Sequence, residues 1–162
     1  MRRFFVCCFA VCFGFVFAQT VEKAPLRVGG DHNFPPYEFL DASGNPSGYN
    51  IDLCKELGKE LNRSVDIRLY KWARVKEELD NGNIDLVPGI AFSTKRAKDL
   101  IFSEPHTRTW RAFFVRVNSK YKKPVELNTA KILVQQGDIS EEYLAYKSFR
   151  GSRISVPSQE DA

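Results

Sequence analysis

Between Leu26 and Val87 the apolar residues change their spacing repeatedly, from strand-like runs to helical stripes and back, and no other feature narrows the fold as much. Leu26 to Gly30 is a short apolar run closed by two glycines, and Asn33, Pro35 and Pro36 behind it deny the segment a helix and impose an extended loop. Asp41 to Gly48 is dense in turn residues and reads as a hairpin tip. Ile51, Cys54, Leu57, Gly58 and Leu61 then fall at spacings of three and four. That pattern predicts an amphipathic helix with Asn50 as N-cap and Asp52 in the first turn, where the helix dipole favours a carboxylate. Val65 to Leu69 alternates at period two, a strand, and Trp72, Val75, Lys76 and Leu79 return to helical spacing before Gly82. Ile84 to Val87 is read as another strand, ended by Pro88 and Gly89. Strands that alternate with helices need crossover connections, so the fold class is α/β with a parallel sheet covered on both faces. In such sheets ligands gather outside the carboxyl ends of the strands, here Gly30 to Phe34, Leu69 to Trp72 and Pro88 to Phe92.

Further along, Trp110 to Val117 is an aromatic and β-branched run without a helical stripe, read as an extended crossover strand, and Lys120 to Thr129 is a polar connection. Lys131 to Gln135 opens a second α/β unit. Gly137 and Asp138 start a helix whose apolar side would be Ile139, Tyr143, Leu144 and Tyr146, and Arg153 to Val156 is a further strand. Pro157 and Ser158 would begin one more helix, with Gln159, Glu160 and Asp161 in its first turn. A helix begun so near the last residue buries little, so the second unit is expected to be incomplete.

Residues 1–18 stand outside this core. Arg2 and Arg3 precede an uncharged run of 14 residues, Phe4 to Phe17, and Val16-Phe17-Ala18 places small residues where a signal peptidase reads them. A spanning helix needs about 20 apolar residues, so this segment is read as an export signal rather than an anchor, with the mature chain starting near Gln19. Of four cysteines, Cys7, Cys8 and Cys12 leave with the signal; Cys54 alone cannot close an intramolecular disulfide and is expected to be a buried thiol. The mature chain carries 22 Lys plus Arg against 20 Asp plus Glu, interleaved along its length. That pattern makes nucleic acid a poor partner, and the 43% apolar content excludes a disordered tail or a coiled coil.

Six segments in this order carry a family resemblance. They are Leu26-Arg-Val-Gly-Gly-Asp-His-Asn-Phe-Pro-Pro-Tyr-Glu-Phe39, Gly48-Tyr-Asn-Ile-Asp-Leu53, Gly82-Asn-Ile-Asp85, Ser93-Thr-Lys-Arg96, Phe102-Ser-Glu-Pro105 and Gln136-Gly-Asp138. Together they resemble the family 3 extracellular solute-binding proteins, two-lobed periplasmic receptors for amino acids and similar small solutes. The resemblance implies a periplasmic-binding-protein type II fold, with residues 19–112 as the first lobe and 113–162 as the crossover and a truncated second lobe. It also implies a monomer outside the cytoplasm that hands its ligand to an ABC-type permease. In detail the motifs look closer to sensor modules fused to membrane histidine kinases and diguanylate cyclases, so uptake and sensing both stand.

The resemblance carries over to particular residues. Arg96 matches the arginine that forks onto a ligand carboxylate, a role suited to a planar guanidinium with parallel donors. Phe34 and Trp72 match the aromatic walls, and Asp31 a position that meets a polar ligand group. Gly89 and Ala91 stand where amino-acid receptors usually place hydroxyls and offer backbone groups only. Asp138 replaces the usual Ser or Thr at a helix start, where it would cap its own helix and repel an anionic ligand group. Hinge closure is expected about the crossover near Phe113 to Arg116.

Catalysis is weighed against binding because a few relatives of this fold are dehydratases. His32 and His106 are the only histidines, both on expected loops, and no nucleophile triad, metal-spaced Cys/His cluster or phosphate-cradling glycine loop accompanies them. The reading is a binding protein without metal or cofactor.

Overall fold

The computed structural model describes residues 23–147 and 149–162. The export signal assigned to residues 1–18 therefore lies outside the described residues.

Two parallel strands form the first unit's sheet. β1 (Leu26–Asp31) pairs with β5 (Val65–Tyr70) in the register Leu26 to Val65 through Asp31 to Tyr70. Every residue of β1 except Arg27 is buried, as a strand covered on both faces requires. Between them the chain makes a small antiparallel meander of β2 (Asn33–Phe34), β3 (Glu38–Leu40) and β4 (Pro46–Ser47), whose tip is the expected hairpin. α1 (Tyr49–Glu60) follows, and α2 (Trp72–Asp80) follows β5. Two apolar clusters result. Leu26, Val28 and Cys54 pack with Val65, Ile67 and Leu86, while Trp72, Val75, Ile84 and Val87 pack with Tyr70, Leu79 and Ile90. Successive side chains of β1 point to opposite faces, so Val28 meets the α1 side and Gly29 leaves room on the other for Ile84.

The second unit repeats the scheme in miniature. A 3-10 helix (Pro124–Thr129) leads into β6 (Lys131–Gln135), then α3 (Ile139–Tyr146) and β7 (Ser152–Val156), which pairs parallel with β6.

Several expectations are corrected. Asn50 is not the N-cap of α1: Gly48 is, at φ 114, and Asn50 lies buried inside the first turn with its side chain committed elsewhere. Ile84 to Val87 is not a strand but a single parallel bridge, Val28 to Leu86. The Arg27 carbonyl receives both the Asp85 and Leu86 N–H groups, and Pro88, lacking an N–H, turns the chain away. Trp110 to Val117 forms no ladder and is exposed throughout, because β-forming residues make a strand only where a neighbouring strand accepts their N–H groups. On α3 only Leu144 is buried; Tyr143 and Tyr146 face solvent. Residues 158–161 make a hydroxyl-capped turn instead of a helix, with the Asp161 N–H donating to Ser158 Oγ.

Candidate functional site

The carboxyl ends of β1 and β5 face the start of the second unit, and all seven residues singled out in the sequence line the one small cavity there: Asp31, Phe34, Trp72, Gly89, Ala91, Arg96 and Asp138. Four further residues line it with them, Glu38, Arg111, Gln135 and Gln159, none of which carries a ligand-site signal in the sequence.

Arg96 is at its centre. It opens a short 3-10 helix, Arg96–Lys98, and the side chain turns inward, only 4% exposed. Its Nε donates to Glu142 Oε1 at 2.8 Å, Nη1 to the Ala91 carbonyl at 3.0 Å and Nη2 to the Gly137 carbonyl at 3.1 Å. Three of the guanidinium's donors are thereby engaged, two of them by the second unit. Ser93 Oγ donates to the other Glu142 oxygen at 2.9 Å and accepts the Arg96 N–H at 3.1 Å. Burial would raise the Glu142 carboxyl's pKa, but the Arg96 and Ser93 donors outweigh it and hold the group below the ordinary glutamate range.

Trp72 serves two purposes. Its ring belongs to the apolar cluster of α2, while Nε1 donates to the same Gly137 carbonyl at 3.0 Å, and the Arg96 guanidinium carbon lies 6.0 Å from the ring centre. Phe34 stacks on Tyr37 with centres 5.1 Å apart, and the Arg111 guanidinium lies 6.0 Å from its ring. Asp138 caps α3 by accepting the Ser140 N–H at 2.8 Å, and its other oxygen is 3.6 Å from Arg111. Gly89 and Ala91 contribute backbone as expected, but the Ala91 carbonyl is taken by Arg96.

Asp31 is buried at the end of β1. Oδ1 accepts the Asn33 N–H at 3.0 Å and lies 3.1 Å from His32 Nδ1, while Oδ2 accepts from Gln135 Nε2 at 3.0 Å across the two units. The His32–Asp31 pair is therefore adjacent in space as well as in sequence. His106 is turned away, its Nε2 2.9 Å from the Pro88 carbonyl and its ring stacked on Tyr49. Among the described residues no group of three or more His, Cys, Asp or Glu side chains converges to hold a metal ion.

Beneath the cavity Glu38 is 1% exposed. It accepts the Asp31 N–H at 2.8 Å and Asn50 Nδ2 at 2.7 Å, yet desolvation prevails over these bonds and its carboxyl titrates above the usual glutamate range. Gly89 passes so close that a Cβ there would be 2.7 Å from the carboxylate oxygens. Cys54 is buried and its thiol is pushed up to about 11 by desolvation and by the charge of Glu38, which makes it inert as a nucleophile at neutral pH. The free space between the cavity walls is about 20 Å³. A single water fills such a volume, whereas pockets for drug-sized molecules enclose about 300–1,000 Å³.

Two α/β units facing each other across a polar cleft at their strand ends define a class, and the chain belongs to it: the bacterial extracellular solute-binding proteins, family 3, match residues 26–155. The probable ABC transporter arginine-binding protein ArtJ of Chlamydia trachomatis is 26% identical over 132 residues, 74% of this chain and 51% of its own length. Among solved structures, a histidine kinase sensor domain with similarity to periplasmic binding proteins superposes with a TM-score of 0.78 at 34% identity, covering 85% of this chain and 61% of that one. An ancestral amino acid-binding protein, a precursor of cyclohexadienyl dehydratase, gives 0.75 at 29% identity over 86% of this chain and 63% of that one. The fold is thus the periplasmic-binding-protein type II fold, of which this chain carries a part. It spans about half the length of the Chlamydia relative.

Proposed function

We propose that this chain binds a small carboxylate-bearing solute, an amino acid or a related organic acid, outside the cytoplasmic membrane for uptake by an ABC-type permease. The observation that carries this reading is the buried guanidinium of Arg96, held at the cleft beside Trp72 and within reach of both units. A guanidinium in a dry setting binds a carboxylate through parallel charge-assisted bonds, while Phe34 and Trp72 keep water away and Asp31 meets a polar or cationic group of the solute. In this reading residues 19–112 are the first lobe, 113–162 are the crossover and part of the second, and the lobes part and close about Phe113 to Arg116. Arginine- and cystine-binding relatives support an amino-acid ligand. The 34% identity to a kinase sensor domain favours a second reading, in which the same solute is sensed and not transported. Neither histidine lines the cavity, which supports binding over turnover.

Calorimetric titration with a panel of amino and organic acids tests the proposal. At least one carboxylate solute should bind, and Arg96→Ala should weaken it about a hundredfold or more, the loss typical of one partner of a buried charge pair. Unchanged affinity in that variant would remove Arg96 from the site.

A further inference from the structure

The two buried charged groups that the first unit would offer a ligand are already answered by groups of the second unit. The Arg96 guanidinium holds a carboxylate, that of Glu142. The Asp31 carboxylate holds an N–H donor, that of Gln135. Glu142 is well placed for this: it stands one helical turn after Asp138 on α3, 16% exposed, with one oxygen on Arg96 and the other on Ser93. With three guanidinium donors engaged and about 20 Å³ of free space, a solute carboxylate cannot simply be added.

We infer that Glu142 is a tethered carboxylate that occupies Arg96 and holds the two units together when no solute is bound, so that a ligand must displace it. The inference rests on the proposed solute binding for its consequence. A ligand must then bring an anionic group of its own to Arg96, since a neutral one would leave the guanidinium uncompensated in a dry cleft. Glu142 therefore sets the ligand class and lowers the apparent affinity by the fraction of molecules whose Arg96 is free. The neighbouring Glu141 does different work, accepting the Gly137 N–H and the Ser155 hydroxyl within its own unit.

The test uses Glu142→Gln in the full chain, which keeps the side chain's shape and removes its charge. A Trp110→Phe background leaves Trp72, whose Nε1 is bonded across the cleft, as the single tryptophan, excited selectively over the tyrosines. Without added solute, Glu142→Gln should increase quenching of Trp72 by acrylamide and shift its emission to the red; Ser93→Ala should act in the same direction by less. No change, or a change of opposite sign in folded variants, would overturn the inference. In calorimetry with the amino- and organic-acid panel, Glu142→Gln should bind a carboxylate solute about tenfold more tightly, as expected when the competent state rises from a minor population. Equal or weaker binding would instead make Glu142 a bystander or a direct ligand contact. If no panel member binds either protein, the proposed function fails, and the Trp72 quenching alone decides whether the Arg96–Glu142 pair keeps the units closed.

Discussion

Glu38 places a titratable carboxyl where water scarcely reaches. Its folded pKa is raised by burial, with the nearby Asp31 charge adding to the shift and the Asn50 and Asp31 donors and His106 opposing it. A carboxyl raised on folding contributes stability that is fully present below the unfolded glutamate value and is lost as pH rises through the folded one. Urea unfolding followed from about pH 4 to about pH 8 should therefore show a declining component that Glu38→Gln abolishes. The amide is also provided for, because Asn50 Oδ1 is buried without a partner and can receive an N–H after the Asn50 amide turns over. None of this is legible locally. In Tyr37-Glu38-Phe39 a glutamate between aromatic residues reads as an outward-pointing strand position, and its burial depends on Gly30, Asn50 and Gly89 arriving from three other segments. Asn50 misleads in the complementary way. It is an excellent N-cap by type, yet its side chain is drawn to Glu38. Glu142 left a usable trace, its four-residue spacing from Asp138, but nothing in the spacing says that Arg96 lies opposite.

At the scale of elements, the start of α1 depends on backbone geometry. Gly48 holds φ 114, and a Cβ would lie 2.5 Å from the Tyr37 carbonyl, whereas Gly44 at φ 80 has open space around it. Gly44→Ala should cost about 1 kcal/mol, the penalty of a left-handed conformation alone. Gly48→Ala should cost several-fold more, because the Tyr37 and Pro36 carbonyls that accept the Asn50 and Tyr49 N–H groups must move as well. Chemical denaturation of the two variants side by side checks the order; equal costs would mean that the meander yields easily. Elements with their own periodicity were readable: β1, α1, β5, α2, β6, α3 and β7 all form where the spacing puts them. Those defined by partnership were not. Leu86 bonds to β1 through one bridge, and Trp110 to Val117 has strand chemistry without an adjoining edge.

Seen as a whole molecule, the chain joins its two units through polar contacts at the cleft and leaves much apolar surface between Ile101 and Val117. Ile101, Trp110, Phe114 and Val117 are each more than 85% exposed. The two tryptophans should therefore differ sharply in the 162-residue chain: acrylamide should quench Trp110 nearly as freely as a model indole, and Trp110→Phe should remove most of the quenchable emission. Strong shielding of Trp110 would show that the segment packs against something.

The carbonyl oxygen of Gly137 accepts Trp72 Nε1 and Arg96 Nη2 together. Hydrogen bonds weaken steeply once donor and acceptor leave their narrow range, so a shift of that one atom by about an ångström forfeits both. The two bonds through Gly137 are thus made and broken together, so this one contact between the units has no half-engaged form.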